Sequence, residues 1–263
     1  MAEVERGKKK KRKLTVINLL QWLTLAAILI IMQVEVKSGN ISKVFLAAPT
    51  DIIEKGWKMT ADGTLLPHLL ATAKEVLAGF GLSAIVGIGL GFLWILFPKL
   101  EEYMNVFCAA IMAVPKTAIL PLLIIWFGIG FKSKVVLIFL FCVFTILYNT
   151  LTGAKQTRNE YLKVARVFGA SRMQTVFKVM VPSALPSMFN GLKLSAATAL
   201  TGVIFSEMQS AREGLGYLLT EAQNNLNTPR VFFFFFFVTI LSVLFVKIIS
   251  TLEYSVCHKW TRV

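Results

Sequence analysis

The chain has 263 residues, 56% of them hydrophobic and 16% charged, with a mean hydropathy of +0.69 and a formal net charge of +14. A soluble domain averages about 25% charged residues, so this composition excludes an ordinary soluble enzyme and points to one polytopic domain embedded in lipid. Three cysteines, Cys108, Cys142 and Cys257, and two histidines, His68 and His258, are too scattered to build a disulfide framework, a metal site or a Ser/His/Asp arrangement, so no catalytic or metal role is expected.

The first predicted element is the run "KKKKRK" (Lys8–Lys13), a basic N-terminal segment (1–16) standing immediately before the apolar stretch from Ile17. A charge cluster in that place sets topology by the positive-inside rule, and topology explains the net charge better than nucleic-acid binding does. The apolar run Ile17–Met32 exceeds the core of a signal peptide and reads as an uncleaved anchor. Six spans follow the hydropathy: Ile17–Val34, Thr72–Phe97, Met104–Ile129, Val135–Leu151, Leu192–Glu207 and Val231–Leu252. An even number puts both termini on one side, and residues 17–263 form a single transmembrane domain. Lys155, Arg158, Lys163, Arg166, Arg172 and Lys178 against Glu160 place the segment after the fourth span, and with it both termini, in the cytoplasm; the mixed loop after the first span faces out.

In that outer loop Thr50 is placed to cap a short helix carrying Ile52, Ile53 and Trp57 on one face, which would lie on the outer surface. Small residues recur at packing intervals in the second span (Ser83, Gly87, Gly91) and the fifth (Ser195, Thr198, Ala199, Gly202), so these two spans are expected to be internal. The third span is broken by Pro115 and Pro121, and Lys116 lies at the break. Freed backbone groups and a charge at membrane depth need a cavity or a protein lining, so Pro115, Lys116 and Pro121 are candidates for a translocation path, with Lys116 offering a positive charge to an anion. Asn149, Ser206 and Glu207 are further polar candidates; Glu207 could contact substrate or pair internally with Lys116 or Lys193, and Lys74 and Lys247 read as snorkelling. Six successive phenylalanines open the last span and point around its whole circumference, as suits a helix facing lipid.

Between the fourth and fifth spans, "TRNE" (Thr157–Glu160) and "SRMQ" (Ser171–Gln174) each match a capping box. The first helix carries Tyr161, Val164, Ala165 and Phe168 and stops at Gly169; the second carries Met173, Val176, Phe177 and Met180 and reaches Pro182. A basic helical hairpin over 157–182 with one apolar stripe is the expectation. Its pattern, Lys163-Val164-Ala165, Gly169, Val179 and Val181-Pro182, resembles the signature loop of permease subunits of bacterial ATP-binding-cassette importers, with Lys163 in place of an acidic residue. "APT" (Ala48–Thr50), "LLPHLLATAKEVLAGF" (Leu65–Phe80), "VPKTAILPLLIIWFGIG" (Val114–Gly130) and "EGLGYLL" (Glu213–Leu219) extend the resemblance to the branch that imports nitrate, taurine, alkanesulfonates and pyrimidine or thiamine precursors.

The resemblance implies an all-α permease of the type I importer kind in the bacterial cytoplasmic membrane, paired with a second, identical permease subunit. It further implies two ABC ATPase subunits, which hold the ATP and magnesium, and an extracytoplasmic solute-binding protein. The hairpin residues Lys163, Val164, Ala165, Phe168, Gly169, Ala170, Ser171, Arg172, Met173, Phe177 and Pro182 would dock on the ATPase. No GxxxxGK[ST] phosphate loop occurs in the sequence, so energy is expected from another chain. The competing readings are a secondary transporter that needs no ATPase and a membrane scaffold that transports nothing.

Overall fold

Every regular element described by the computed structural model is helical. It describes residues 2–257, with side chains from Ile17 onward, so the side chains of Lys8–Lys13 and all of His258 lie outside the described residues. In chain order the helices are α1 (Ala2–Lys37), α2 (Pro49–Ala61), α3 (Leu65–Leu96), α4 (Pro98–Ala113), α5 (Leu120–Phe127), α6 (Phe131–Lys155), α7 (Asn159–Val167), α8 (Arg172–Thr175), α9 (Val181–Ser210), α10 (Leu215–Asn224) and α11 (Thr228–Cys257). A 3-10 turn, Lys116–Ile119, joins α4 to α5, and a π turn, Val176–Met180, joins α8 to α9. Five helical stretches are long and apolar enough to cross a membrane, and the pair Pro98–Ala113 and Lys116–Phe127, bent by 84°, makes a sixth, broken span.

Internal contacts divide the chain into two units. The first runs through Gly63 and takes in Glu221–Phe235. Here Thr50 does not cap α2: Pro49 occupies the first helical turn behind the Ala48 N-cap, and Thr50 instead exchanges hydrogen bonds with Gln33 of α1. Lys37 reaches Asp51 at 2.9 Å and holds that carboxyl below the usual carboxylate range. The α2 faces also differ from the sequence expectation. Ile52, Gly56 and Met59 are buried, whereas Ile53 and Trp57, one turn apart, are exposed at 72% and 73%. Gly56 is required because a Cβ there would overlap the Phe233 ring, so the phenylalanine run is not wholly lipid-facing: Phe233 packs and Phe234 is buried, while Phe235 and Phe236 point out.

The second unit comprises Thr64–Thr220 and the chain from Phe236 onward. Its hub is α6, clasped between α3 and α9. On α3, a Cβ at Gly79, Gly87 or Gly91 would come within 2.6–2.9 Å of Ile138, Val143 O and Thr150 of α6, and on α9 Gly191 gives the same close approach to Asn149. With no hydrophobic force to drive helices together in lipid, such backbone-to-side-chain fits supply the dispersion contacts. The second and fifth spans present the holes, and the fourth supplies the knobs Ile138, Ile146 and Thr150.

Candidate functional site

The first helix of the hairpin begins one residue later than its capping pattern implies, with Arg158 and not Thr157 at the N-cap. Thr157 closes α6 through its N–H to Ala154 O, its hydroxyl is buried without a partner, and α7 starts behind Arg158 with no side-chain cap. Thr157 directly follows Gln156, the C-cap of α6, and Arg158 takes the extended N-cap place of α7. At the other end of α7, Gly169 stands at φ +65°, its N–H bonding Arg166 O while Ala170 N–H bonds Ala165 O. That pair of bonds is a Schellman motif, and it turns the chain back on itself. Ser171 then caps α8 in a complete capping box with Gln174.

Pro182 does not end the second helix. The π turn carries Val181 N–H to Val176 O, five residues back, and the helix continues unbroken as a helical stretch from Arg172 to Ser210. A π turn absorbs the donor that proline lacks and so preserves continuity where a regular helix would break. The hairpin and the fifth span are therefore one rod.

The apolar positions of the hairpin divide between two faces. Ala165, Val176 and Met180 turn inward, with Val176 and Met180 joining a core of Trp94, Leu147 and Met188. Tyr161, Val164, Phe168, Met173 and Phe177 stay exposed, and Val167 and Phe168 at the bend reach 84% and 85% exposure. Lys163 and Lys178 are exposed on the same element. Beneath the bend a cavity of about 430 Å³ is lined by Ile95, Arg166, Arg172 and Met180, and Arg172 Nη2 donates to Ile95 O at 3.3 Å, fastening the hairpin to the end of α3.

In the broken span, Pro115 and Pro121 are exposed and Lys116 is half-buried, its Nζ 5.6 Å from the centre of the Phe141 ring. No carboxylate pairs with Lys116 among the described residues. Lys193 pairs with Glu253 at 2.9 Å. Asn149 is half-buried, its amide donating to Thr145 O, and Ser206 is fully buried with its hydroxyl bonded to Val203 O.

Glu207 takes neither of the partners foreseen for it. It is 1% exposed and receives Thr72 Oγ1 at 2.6 Å on Oε1 and Gly216 N–H at 2.7 Å on Oε2. Around it the first backbone donors of α10 are satisfied in sequence by side chains: Gly214 N–H by His68 Nδ1 at 3.0 Å, Leu215 N–H by Thr72 Oγ1 at 2.9 Å, and Gly216 N–H by Glu207. A helix N-terminus leaves such donors open, and this one is closed by α3 and α9 together. Beside it Glu75 and Lys134 form a buried ion pair at 2.6 Å, with side chains 4% and 3% exposed. The sequence reading did not single out His68, Thr72, Glu75, Lys134, Gly214 or Gly216 as a site; an acid and a base standing in two apolar spans was the available signal.

Comparison with known proteins matches residues 79–259 to the family described as binding-protein-dependent transport system inner membrane component. The riboflavin transport system permease protein RibX of Chloroflexus aurantiacus is 31% identical over 210 residues, covering 80% of this chain and 78% of that protein. The aliphatic sulfonates transport permease protein SsuC of Bacillus subtilis, a putative assignment in its own name, is 31% identical over 207 residues, covering 79% and 75%. Among solved structures, an inward-facing methionine ABC transporter, MetNI, is similar in fold with a TM-score of 0.58 at 20% identity, over 75% of this chain and 96% of that one.

Proposed function

This chain belongs to the family of binding-protein-dependent transport system inner membrane components, and from that premise we propose how its parts divide the work of an ATP-driven importer. It is the permease subunit, a multi-pass membrane protein, and the proposal concerns its partners, its path and its cargo. Two copies of the chain line the path, two ATPase subunits holding ATP and magnesium sit beneath them, and a binding protein delivers solute from outside. Both termini face the cytoplasm, in keeping with the basic N-terminal run and the basic hairpin.

The observation that carries this reading is the exposed bend of the hairpin. Val167 and Phe168 stand almost wholly uncovered beside Arg166, Lys163 and Lys178, a protruding apolar tip with a basic rim. A surface of that kind gives affinity through its apolar centre and orientation through its charges. Because α8, the π turn and α9 are continuous, a displacement of the bend travels along one rod into the α6–α9 packing, and paired rods moving as rigid bodies can alternate access.

Lys116 supports an anionic cargo. Relatives of similar identity are named for riboflavin, which is uncharged, and for sulfonates, which are anions, so overall similarity does not choose between them. A half-buried ammonium at a helix break, unmatched by a carboxylate among the described residues, favours the anion. Pro115 and Pro121 hold the break open, and Asn149 lines the path as a lesser contact.

The test is purification of the tagged full chain with its ATPase, and the same with Phe168→Asp. Retention of the ATPase by the wild type and its loss in the variant support the proposal. Uptake by vesicles that contain this chain and its binding protein but no ATPase would overturn it in favour of a secondary transporter.

A further inference from the structure

The Glu75–Lys134–Glu207 cluster poses a charge problem that the transport reading leaves unsolved. Glu75 Oε1 accepts from Lys134 Nζ, and both side chains are more than nine-tenths buried. Glu75 Oε2 is buried with no hydrogen-bond partner. Glu207 Oε1 is held at 2.6 Å by Thr72, which stands one turn before Glu75 on the same face of α3, so the two carboxyls are neighbours. Both oxygens of Glu207 are already acceptors, one from Thr72 and one from Gly216. Two neighbouring buried carboxylates thus stand beside one ammonium.

A net negative charge on side chains buried this deeply is costly, and something must offset it. Metal is a poor candidate: among the described residues no group of three or more His, Cys, Asp or Glu side chains is placed to hold an ion, and the Lys134 ammonium would repel one. A proton meets every requirement. It occupies no volume, converts one carboxyl into a donor toward the other, and brings two acids and one base to neutrality.

We propose that Glu75 and Glu207 jointly bind one proton, and that this proton locks the 211–216 segment against α3 and α9. The segment is the latch: its Gly214, Leu215 and Gly216 N–H groups bond His68, Thr72 and Glu207. The groups that face the pair are Lys134 from α6, Thr72 and His68 from α3, and, across a cavity of about 440 Å³ that ends on Glu75 and Lys134, Arg212 and Glu213 of the segment itself. When the segment lifts, Glu207 loses its Gly216 donor and the cavity beside Glu75 widens to admit water to both carboxyls. The proton then passes to a water molecule, leaving two hydrated carboxylates. The closed latch binds one proton more than the open one, so rising pH favours opening by about tenfold per unit.

The site does not depend on the cargo or on the ATPase, and its test needs neither. The full chain in lipid nanodiscs is examined by infrared spectroscopy, as wild type and as Glu75→Gln. The glutamine keeps the volume, an acceptor for Lys134 and a donor toward Glu207, so the variant is expected to fold. The wild-type minus variant difference should show the loss of one protonated-carboxyl C=O stretch. Absence of that band from the difference overturns the shared proton. For the latch, amide exchange at Leu215 and Gly216, corrected for its intrinsic pH dependence, should quicken about tenfold per pH unit in the alkaline range in the wild type and stay flat in Glu75→Gln. A flat wild-type profile overturns the link between proton and latch.

Discussion

Gly214 and Glu207 are matched by shape. The glycine stands at φ +117° directly over the carboxylate, and a Cβ at 214 would overlap the carboxyl group itself. Two residues on, a Cβ at Gly216 would meet Ile204 O and come within 2.7 Å of Glu207 Cβ. The Gly-Leu-Gly stretch is therefore a cradle that lets backbone N–H groups approach a buried acid that a larger residue would push away.

Gly216→Ala forces either α10 or Glu207 to move, an overpacking that costs about 1–3 kcal/mol. Gly214→Ala adds backbone strain to the overlap and is the worse of the two. Thermal unfolding of the purified chain in detergent should rank wild type above Gly216→Ala above Gly214→Ala. Equal stability of all three would mean that the cradle is not closed as described.

Lys134→Met removes the cation from the buried cluster and leaves Glu75 and Glu207 facing each other without it. Breaking a buried pair from one side costs about 3–5 kcal/mol, because the surviving charge is left uncompensated. The double variant Lys134→Met/Glu75→Leu removes both members of the pair and should recover most of that loss. Denaturant unfolding of wild type, Lys134→Met, Glu75→Leu and the double variant measures the coupling.

The parts legible in the sequence are those determined by near neighbours. Gly169, Ser171 and Gln174 lie within a few residues of the bonds they make, and the six spans follow from hydropathy alone. Thr157 carries the same capping pattern as Ser171, but its N–H is taken up by the turn that closes α6, and Arg158 holds the N-cap place of α7. Pro182 reads as a stop, because nothing in a sequence announces the π turn that carries the helix through it. Small residues on α3 and α9 mark holes, and the helix that fills them, α6, is rich in the ordinary Ile, Val and Leu of any span. Glu75 and Lys134 are 59 positions apart, and Thr72 and Glu207 are 135 apart. Each looks like an interfacial or snorkelling side chain until the fold brings its partner in.

Gly169→Val places a branched residue at φ +65°, where L side chains pay about 1–2 kcal/mol, although a Cβ there meets nothing within 4 Å. Ser171→Ala removes the cap of α8, at about 1 kcal/mol. Both changes should loosen the hairpin without disturbing the α6–α9 packing. The expected result is weaker retention of the ATPase with an unchanged main unfolding transition. A fall in the main transition of the same size as the local cost would place the bend inside the cooperative core instead.

Asp51 provides a pH dependence whose sign is fixed by Lys37. Hydrogen bonding and attraction to that ammonium lower the folded-state value of the carboxyl, so its contribution is present above the ordinary Asp value of about 3.9 and disappears as pH falls through the lowered folded value. The pair is partly exposed, which limits the contribution to less than about 1 kcal/mol. Asp51→Asn should therefore be slightly less stable than wild type at pH 7 and indistinguishable from it in strong acid, by thermal unfolding at both pH values. A difference that persists in acid would assign the effect to the neighbouring Thr50–Gln33 bonds.

On the proposed reading Lys116 draws an anionic cargo into the path. Its ammonium rests 5.6 Å from the Phe141 ring centre, at the one place where the third span changes direction. A charge-assisted contact to an anion contributes about 1.5–3 kcal/mol, so Lys116→Ala should lower uptake of a sulfonate about tenfold or more below saturation, and Lys116→Arg should restore part of it. The arginine keeps the charge and the cation–π contact but differs in reach, so partial rescue separates a role in binding the anion from one in packing against Phe141. Undiminished sulfonate uptake by Lys116→Ala would remove the argument for an anion, while the hairpin and its ATPase contact would stand unaffected.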